Sequence, residues 1–331
     1  MGTPKLKRCI DNPILMPNFE RAWEAAAVFN PSVIKTGLVY TMLYRALSII
    51  QRAPGDVVHI SSIGIARSKD GVHFTNREFF FGPEYGYEAY GCEDPRVVRF
   101  EGKYYIFYTA VSDMPPKPEN VKLALAITKD FKDYDKKGIV CPFNSKAGAL
   151  FPRRINGKMC MLFTYHPDIR PSRLAIVCFD KIEDILDRHF WDEWAMHLKP
   201  GENLVDLRGT SEFVEVGSPP IETKYGWLVF VPDIIYKNNQ FLEFRISAIL
   251  LDLNNPSKVT ARSKEPILYP EVGYEMMRRY NPRKIAMPTG AVVIRDRVYV
   301  YYGASDMFCC SAYMNLNELL NYLVDECKII I

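Results

Sequence analysis

A short pattern recurs five times along this 331-residue chain, and it restricts the folds open to it. Each copy holds a proline, an apolar stretch, a polar turn and an aromatic-rich run. The prolines are Pro31, Pro95, Pro152, Pro220 and Pro288, spaced 57 to 68 residues apart. Gly37, Gly102, Gly157 and Gly226 supply the turn in four copies, and the fifth uses Arg-Asp-Arg, Arg295 to Arg297. Glycine or short polar residues between two alternating apolar runs mark a β-hairpin. Self-similarity at this period signals a radial β array. Five hairpin units therefore predict an all-β chain, a five-bladed β-propeller whose single domain spans residues 1–331. The length exceeds what one core usually supports, but each blade shares its core only with its neighbours.

Further strand-like segments follow the hairpins: GIARSKDGVHF from Gly64, LALAITKDF from Leu123, RLAIVCFD from Arg173 and RISAILLDL from Arg245. They supply the third and fourth strands of the blades. KIEDILDRHFWDEWAMHL, from Lys181, has apolar residues near helical spacing (Ile182, Ile185, Leu186) and predicts a local helix. CSAYMNLNELLNYL begins as a strand and turns helical. MPPKPEN from Met114 and DLNNPSK from Asp252 read as rim loops.

Composition excludes several classes of function. A net charge of +3 argues against a nucleic-acid partner while leaving room for a local anion pocket. No segment supplies the roughly 20 apolar residues of a membrane span, so no membrane partner is expected. The first residues, MGTPKLKRCIDNPILMP, contain no apolar secretion core. The eight cysteines show no paired spacing, and Cys160 and Cys178 read as small core hydrophobes. Cys309 and Cys310 lack zinc-site spacing, and no metal is expected. These features place the chain in the reducing cytoplasm; its oligomeric state is not encoded in any of them.

In an antiparallel hairpin, the first strand begins where the second ends. If the five hairpins line one channel, Asn30, Arg45, Asp94, Glu215, Asp233 and Asp306 gather at one mouth. Asp94 is the foremost candidate. Pro95 is expected to hold it extended, and strand alternation puts Asp94 and Arg96 on one face with Glu93 on the other. A carboxyl at a partly dry mouth can have a raised pKa and act as general acid, although Asp-Pro also opens ordinary turns. Glu215 is a second carboxylate across the funnel; the alternative is an exposed strand glutamate. Paired carboxylates about 6.5–9.5 Å apart suit inverting glycoside hydrolysis. Glu275 hangs over the mouth as a substrate contact. His166, with Arg170 and Arg173, forms either an anion pocket or a solvated loop. Tyr165 and Tyr274 can stack on sugar faces.

GCEDPRVV, residues 91–98, resembles glycoside hydrolase family 130 and its relative glycosyltransferase family 108. AVFNPSV, LYRA, LFPRRINGK, GSPPIETKYGWL and YYGASD extend the match in order along nearly the whole chain. The resemblance implies a five-bladed propeller that acts on β-mannosides with inversion. It implies that Asp94 is the general acid, relaying its proton through a mannose hydroxyl. It also implies sugar contacts at Asn30, Arg45, Glu275 and Asp306.

The chain departs from that family where phosphorylases bind phosphate. The usual Arg-Asn pair corresponds to Lys146 and Ala147, a second arginine to Thr164, a lysine to Phe213, a glycine to Glu215 and a histidine to Pro232. Two enzymatic readings follow. In one, a β-1,2-mannoside phosphorylase or mannosyltransferase holds inorganic phosphate or mannose 1-phosphate, a co-substrate rather than a cofactor, through Lys146, His166, Arg170 or Arg279. In the other, a phosphate-independent β-1,2-mannosidase uses Glu215 as base. A third reading, from another class, is a non-catalytic sugar-binding propeller; the proline-flanked Asp94 beside Arg45 and Asp306 argues against it.

Overall fold

The computed structural model describes residues 2–329, except 54–55, 206, 208–212, 239 and 278–282. The fold is all-β, with two α-helices among the described residues, Arg188–Met196 and Leu316–Glu326. None of the described helices is long and apolar enough to cross a membrane.

The five predicted hairpins are present. They pair Ala27–Thr36 with Val39–Leu47, Gly91–Phe100 with Lys103–Val111, and Ser145–Leu150 with Met159–Tyr165. The remaining two pair Ile221–Thr223 with Gly226–Lys237 and Lys284–Ile294 with Arg297–Ala304. Each gains a third antiparallel strand: Ser61–Ser68, Val121–Thr128, Arg173–Phe179, Gln240–Leu251 and Phe308–Asn315. Fourth strands flank the first, second and fourth units (Thr75–Phe81, Asp135–Ile139, Val259–Arg262). The fifth unit takes its outer strand from the other end of the chain, where Lys7 and Arg8 pair with Tyr313 and Ala312. The fifth unit also touches the first, because Thr289 Oγ1 donates to the Pro31 carbonyl at 2.8 Å.

The repeat prolines mark something alternation alone does not foresee. In the first two hairpins the register slips by one residue, so that Asn30-Pro31 and Asp94-Pro95 each lie opposite a single tyrosine, Tyr44 or Tyr108. Such a bulge accepts proline, which has no N–H to give a ladder. Asn30 and Asp94 adopt left-handed backbones, with φ of 51° and 50°. The expectation of an extended Asp94 is thus corrected: Asn and Asp tolerate this region because their short side chains bond locally.

A second repeat lies further out. Glu24, Glu88 and Glu275 each end a short 3₁₀ turn and are fully buried. Each accepts a hydrogen bond from a second-strand tyrosine: Tyr44 at 2.8 Å, Tyr108 at 2.6 Å and Tyr302 at 2.8 Å. Each also meets a cation from the unit's outermost strand: Arg77 at 2.7 Å, Lys136 at 2.5 Å and Arg8 at 2.7 Å. The Glu-Tyr-cation triad ties three chain segments of one unit together across an otherwise apolar interior.

The helix after Lys181 begins later than its apolar spacing suggested. Asp187 caps it, accepting from the His189 N–H, and Trp191 is buried beneath it. The cysteine reading needs correction: Cys160 and Cys178 are direct cross-strand partners and form a disulfide. The other six cysteines are buried and free.

Removing one member of a buried triad strands the other charge. Glu88→Ala leaves Lys136, whose side chain is 1% exposed, with only the exposed Glu84 carboxylate at 3.4 Å in place of its buried partner. Breaking a buried pair in this way costs about 3–5 kcal/mol. Urea unfolding should show that loss, whereas a loss below about 1 kcal/mol would refute the triad's structural role.

Candidate active site

A cavity of about 590 Å³ opens where all five units meet, within the roughly 300–1,000 Å³ usual for small-molecule sites. Of the residues singled out from the sequence, Asn30, Arg45, Asp94, Lys146, Glu215 and Asp306 all line it.

Arg45 is the hub. Its Nη2 meets Glu93 Oε1 at 2.6 Å, and its Nη1 lies 3.6 Å from Asp94 Oδ1. Its Nε donates to Ser61 Oγ at 3.0 Å, and Ser61 Oγ donates in turn to Glu93 Oε1 at 2.9 Å. The guanidinium stacks 4.7 Å above the Phe29 ring. Asn30 Nδ2 donates to Asp94 Oδ1 at 2.7 Å. Asn30 is itself pressed by Gly303, where an added Cβ would lie 2.1 Å from Asn30 Oδ1. On the opposite wall, Lys146 Nζ and Glu215 Oε1 form an ion pair at 2.8 Å.

The bulge undoes the expected alternation, since Glu93 and Asp94 both reach Arg45. It also reverses the expected electrostatics of Asp94. Burial pushes the Asp94 carboxyl up, but Arg45, Arg96 and the Asn30 hydrogen bond together hold it below its usual value. The raised carboxyls are its neighbours. Burial raises Glu93 despite Arg45. Burial raises Asp306 too, outweighing Arg45, with Asp94 adding to the rise. Burial opposes the charge on Lys146, yet Glu215, Asp94 and Glu93 keep it ammonium.

Several expected contacts lie elsewhere. Arg96 is fully buried and donates to the carbonyls of Asp94, Val216 and Gly217, so it braces the backbone rather than facing the cavity. Glu275 belongs to the buried triad with Arg8 and Tyr302 and is closed to substrate. Asp233 lies between Arg245 and Arg262, 3.9 Å from each, outside the lining. His166 lies in a left-handed turn against Phe143 and Tyr165, 3.4 Å from Asp168. Arg170 donates to Tyr236 Oη and stacks on Phe213. Neither His166 nor Arg170 lines the cavity, nor do Tyr165 and Tyr274. Arg279 lies outside the described residues. Of the phosphate-cradle departures, Thr164 is buried with Oγ1 accepting from the Val216 N–H, and Phe213 packs against Tyr236 and Phe241.

Sequence reasoning missed Arg283 and Glu93 as site residues, and it missed Phe241 and Phe244, which line an aromatic wall with Phe213. Arg283 carried a usable signal, because it immediately precedes the fifth hairpin, as the other funnel residues open theirs. The wall carried none, since its rings resemble any strand core.

The sequence profile of glycoside hydrolase family 130, described as β-1,4-mannooligosaccharide phosphorylase, matches residues 10–325. The chain belongs to glycoside hydrolase family 130. It is 37% identical over 316 residues to a 1,2-β-oligomannan phosphorylase of Thermoanaerobacter sp., covering 95% of this chain and 99% of that one. It is 32% identical over 311 residues to a β-1,2-mannobiose phosphorylase of the same organism, covering 91% and 94%. The fold of this family 130 member also matches a β-1,2-mannobiose phosphorylase from Listeria innocua in complex with β-1,2-mannobiose. That match has a TM-score of 0.77 and 24% identity, and covers 97% and 99% of the two chains.

The Asp306 shift has a testable sign. Its carboxyl ionises at higher pH folded than unfolded, so its ionisation opposes folding. That penalty is absent below the unfolded value, grows through the interval and is complete above the folded one. Asp306→Asn, which keeps a residue tolerant of φ 53°, should therefore gain stability at pH 7. The gain should fade as pH falls below about 4, where the native carboxyl is protonated anyway. Denaturant melts at the two pH values check this, and a variant less stable than wild type at pH 7 would contradict it.

Proposed function

We propose that the chain is an inverting phosphorylase of β-1,2-linked mannose oligosaccharides, with Asp94 as its acid and base, built as one five-bladed propeller across residues 1–331. The propeller reading is supported by the five successive hairpin units, the Thr289–Pro31 contact and the pairing of Lys7–Arg8 with the last strand. The reaction breaks the glycosidic C–O bond and forms a bond from a phosphate oxygen to the anomeric carbon. A proton passes to the departing sugar oxygen, leaving α-mannose 1-phosphate and a shortened oligosaccharide.

The observation that carries phosphorolysis over hydrolysis is the Lys146–Glu215 pair at 2.8 Å. A hydrolytic base must be available to take a proton from water, and Glu215 is committed to an ammonium. The same lysine adds positive charge to the wall on which an anionic co-substrate is to bind. The two Thermoanaerobacter relatives carry phosphorylase names and extend along most of this chain.

Asp94 fits both directions of a reversible transfer. Held low by Arg45, Arg96 and Asn30, it rests ionised, ready to take a proton from an acceptor hydroxyl in synthesis. For cleavage it must carry that proton. A bound sugar removes water and a bound phosphate brings negative charge, and both raise a neighbouring carboxyl. Substrate binding thereby loads the acid. Asn30, Arg45 and Asp306 hold the sugar beside it. Six of the eight cysteines stay free, which favours a cytoplasmic setting although Cys160 and Cys178 are bonded; there phosphorolysis keeps the glycosidic energy in the sugar phosphate.

Incubation with β-1,2-mannotriose should yield mannose 1-phosphate only when phosphate is present. Free mannose at the same rate without phosphate would refute phosphorolysis. Asp94→Asn should lower kcat by about 10²–10⁴ with the fold intact, whereas Glu215→Gln should keep phosphate-dependent turnover. Near-normal turnover by the Asp94 variant would remove the acid assignment.

A further inference from the structure

Among the described residues, five basic side chains line the cavity: Arg45, His59, Lys117, Lys146 and Arg283. Most are already engaged. Arg45 faces Glu93 and Asp94, and Lys146 faces Glu215. His59 Nδ1 lies 2.7 Å from the Ser48 carbonyl oxygen. Lys117 is exposed on a loop, where an ammonium stays hydrated and mobile.

Arg283 is different. Its guanidinium lies 5.4 Å from the centroid of the Phe241 ring, and among the described residues it makes no ion pair. The backbone beside it is pinned, because Lys284 and Ile285 pair with Glu243 and Phe244 of the preceding unit. Its charge acts on Asp306 together with those of Arg45 and Lys146, so all three cations face one basin. A half-buried arginine stacked on a ring is a rigid fork of donors, suited to the paired oxygens of phosphate. Sugar hydroxyls can accept its hydrogen bonds but cannot balance its charge.

We propose that Arg283 holds the phosphate that is transferred, with Lys146 joining it once phosphate has competed with Glu215 for the ammonium. The assignment rests on the phosphorolysis reading. It gives this chain an anion site that does not depend on the positions occupied by Ala147, Thr164, Phe213 and Pro232. In the synthetic direction the same fork holds the phosphate of mannose 1-phosphate.

The test measures initial rates on β-1,2-mannotriose with phosphate varied, then with the trisaccharide varied. Arg283→Gln should raise the KM for phosphate roughly 10- to 100-fold, the loss expected for charge-assisted hydrogen bonds. The KM for the trisaccharide should stay within about threefold, and Arg283→Lys should recover part of the phosphate affinity. The KM for mannose 1-phosphate should rise in parallel. As a readout independent of turnover, phosphate should raise the melting temperature of the wild type and not that of Arg283→Gln. An unchanged phosphate KM and thermal shift in that variant, beside a phosphate-dependent wild type, would overturn the role of Arg283 alone. A rise confined to the trisaccharide KM would do the same. A wild type that needs no phosphate would remove the phosphorolysis reading and this assignment with it.

Discussion

One extra residue in each of the first two hairpins governs the site. The bulges place Asn30 and Asp94 in left-handed backbone ahead of their prolines. A residue held there costs about 1–2 kcal/mol, less for Asn and Asp. In return, two consecutive acidic side chains, Glu93 and Asp94, turn towards Arg45, and Asn30 arrives from the neighbouring unit to bond Asp94. A regular strand would have sent one of the two carboxylates to the opposite face. Opposite the bulges stand Tyr44 and Tyr108, the tyrosines that the buried Glu24 and Glu88 accept from. The same local irregularity thus serves the site on one side and the unit's framework on the other.

Crowding acidic groups around Arg45 shifts their proton affinities in opposite directions. Asp94, held by Arg45, Arg96 and the Asn30 hydrogen bond, takes the negative charge, while burial pushes Glu93 and Asp306 towards their neutral forms, although Glu93 lies closer to Arg45. Where several carboxyls share one cation, environment decides which is the base and which keeps its proton. The opposite wall follows another rule, with Lys146 and Glu215 cancelling each other until an anion competes. The cavity is thus asymmetric: carboxylates crowd around Arg45 in one part of the lining, and the Lys146–Glu215 ion pair stands in another.

Much of this was legible in the sequence. The hairpins followed from the turn glycines and alternating apolar runs. Convergence of hairpin ends pointed to Asn30, Arg45, Asp94, Glu215, Asp233 and Asp306; all but Asp233 line one cavity, joined by Lys146, which the family resemblance singled out. The misplacements share a physical cause, since an acidic or basic residue near a strand end looks alike whether it faces solvent, substrate or a buried partner. Glu275 belongs with Glu24 and Glu88, a relation visible only once Arg8, Arg77 and Lys136 stand beside them. Asp233 is balanced by arginines from two other strands, and Arg96 by backbone carbonyls. The Cys160–Cys178 bond depended on strand register, which spacing alone does not give.

The central claim is that the bulge delivers the Asp94 carboxylate to the sugar. A crystal structure with β-1,2-mannobiose bound tests it most directly. The account predicts a mannose hydroxyl or the glycosidic oxygen within hydrogen-bond reach of Asp94, about 2.5–3.2 Å, with Asn30 and Arg45 still in place around it. A disaccharide bound in full with no atom near Asp94, or seated outside the cavity, would contradict it.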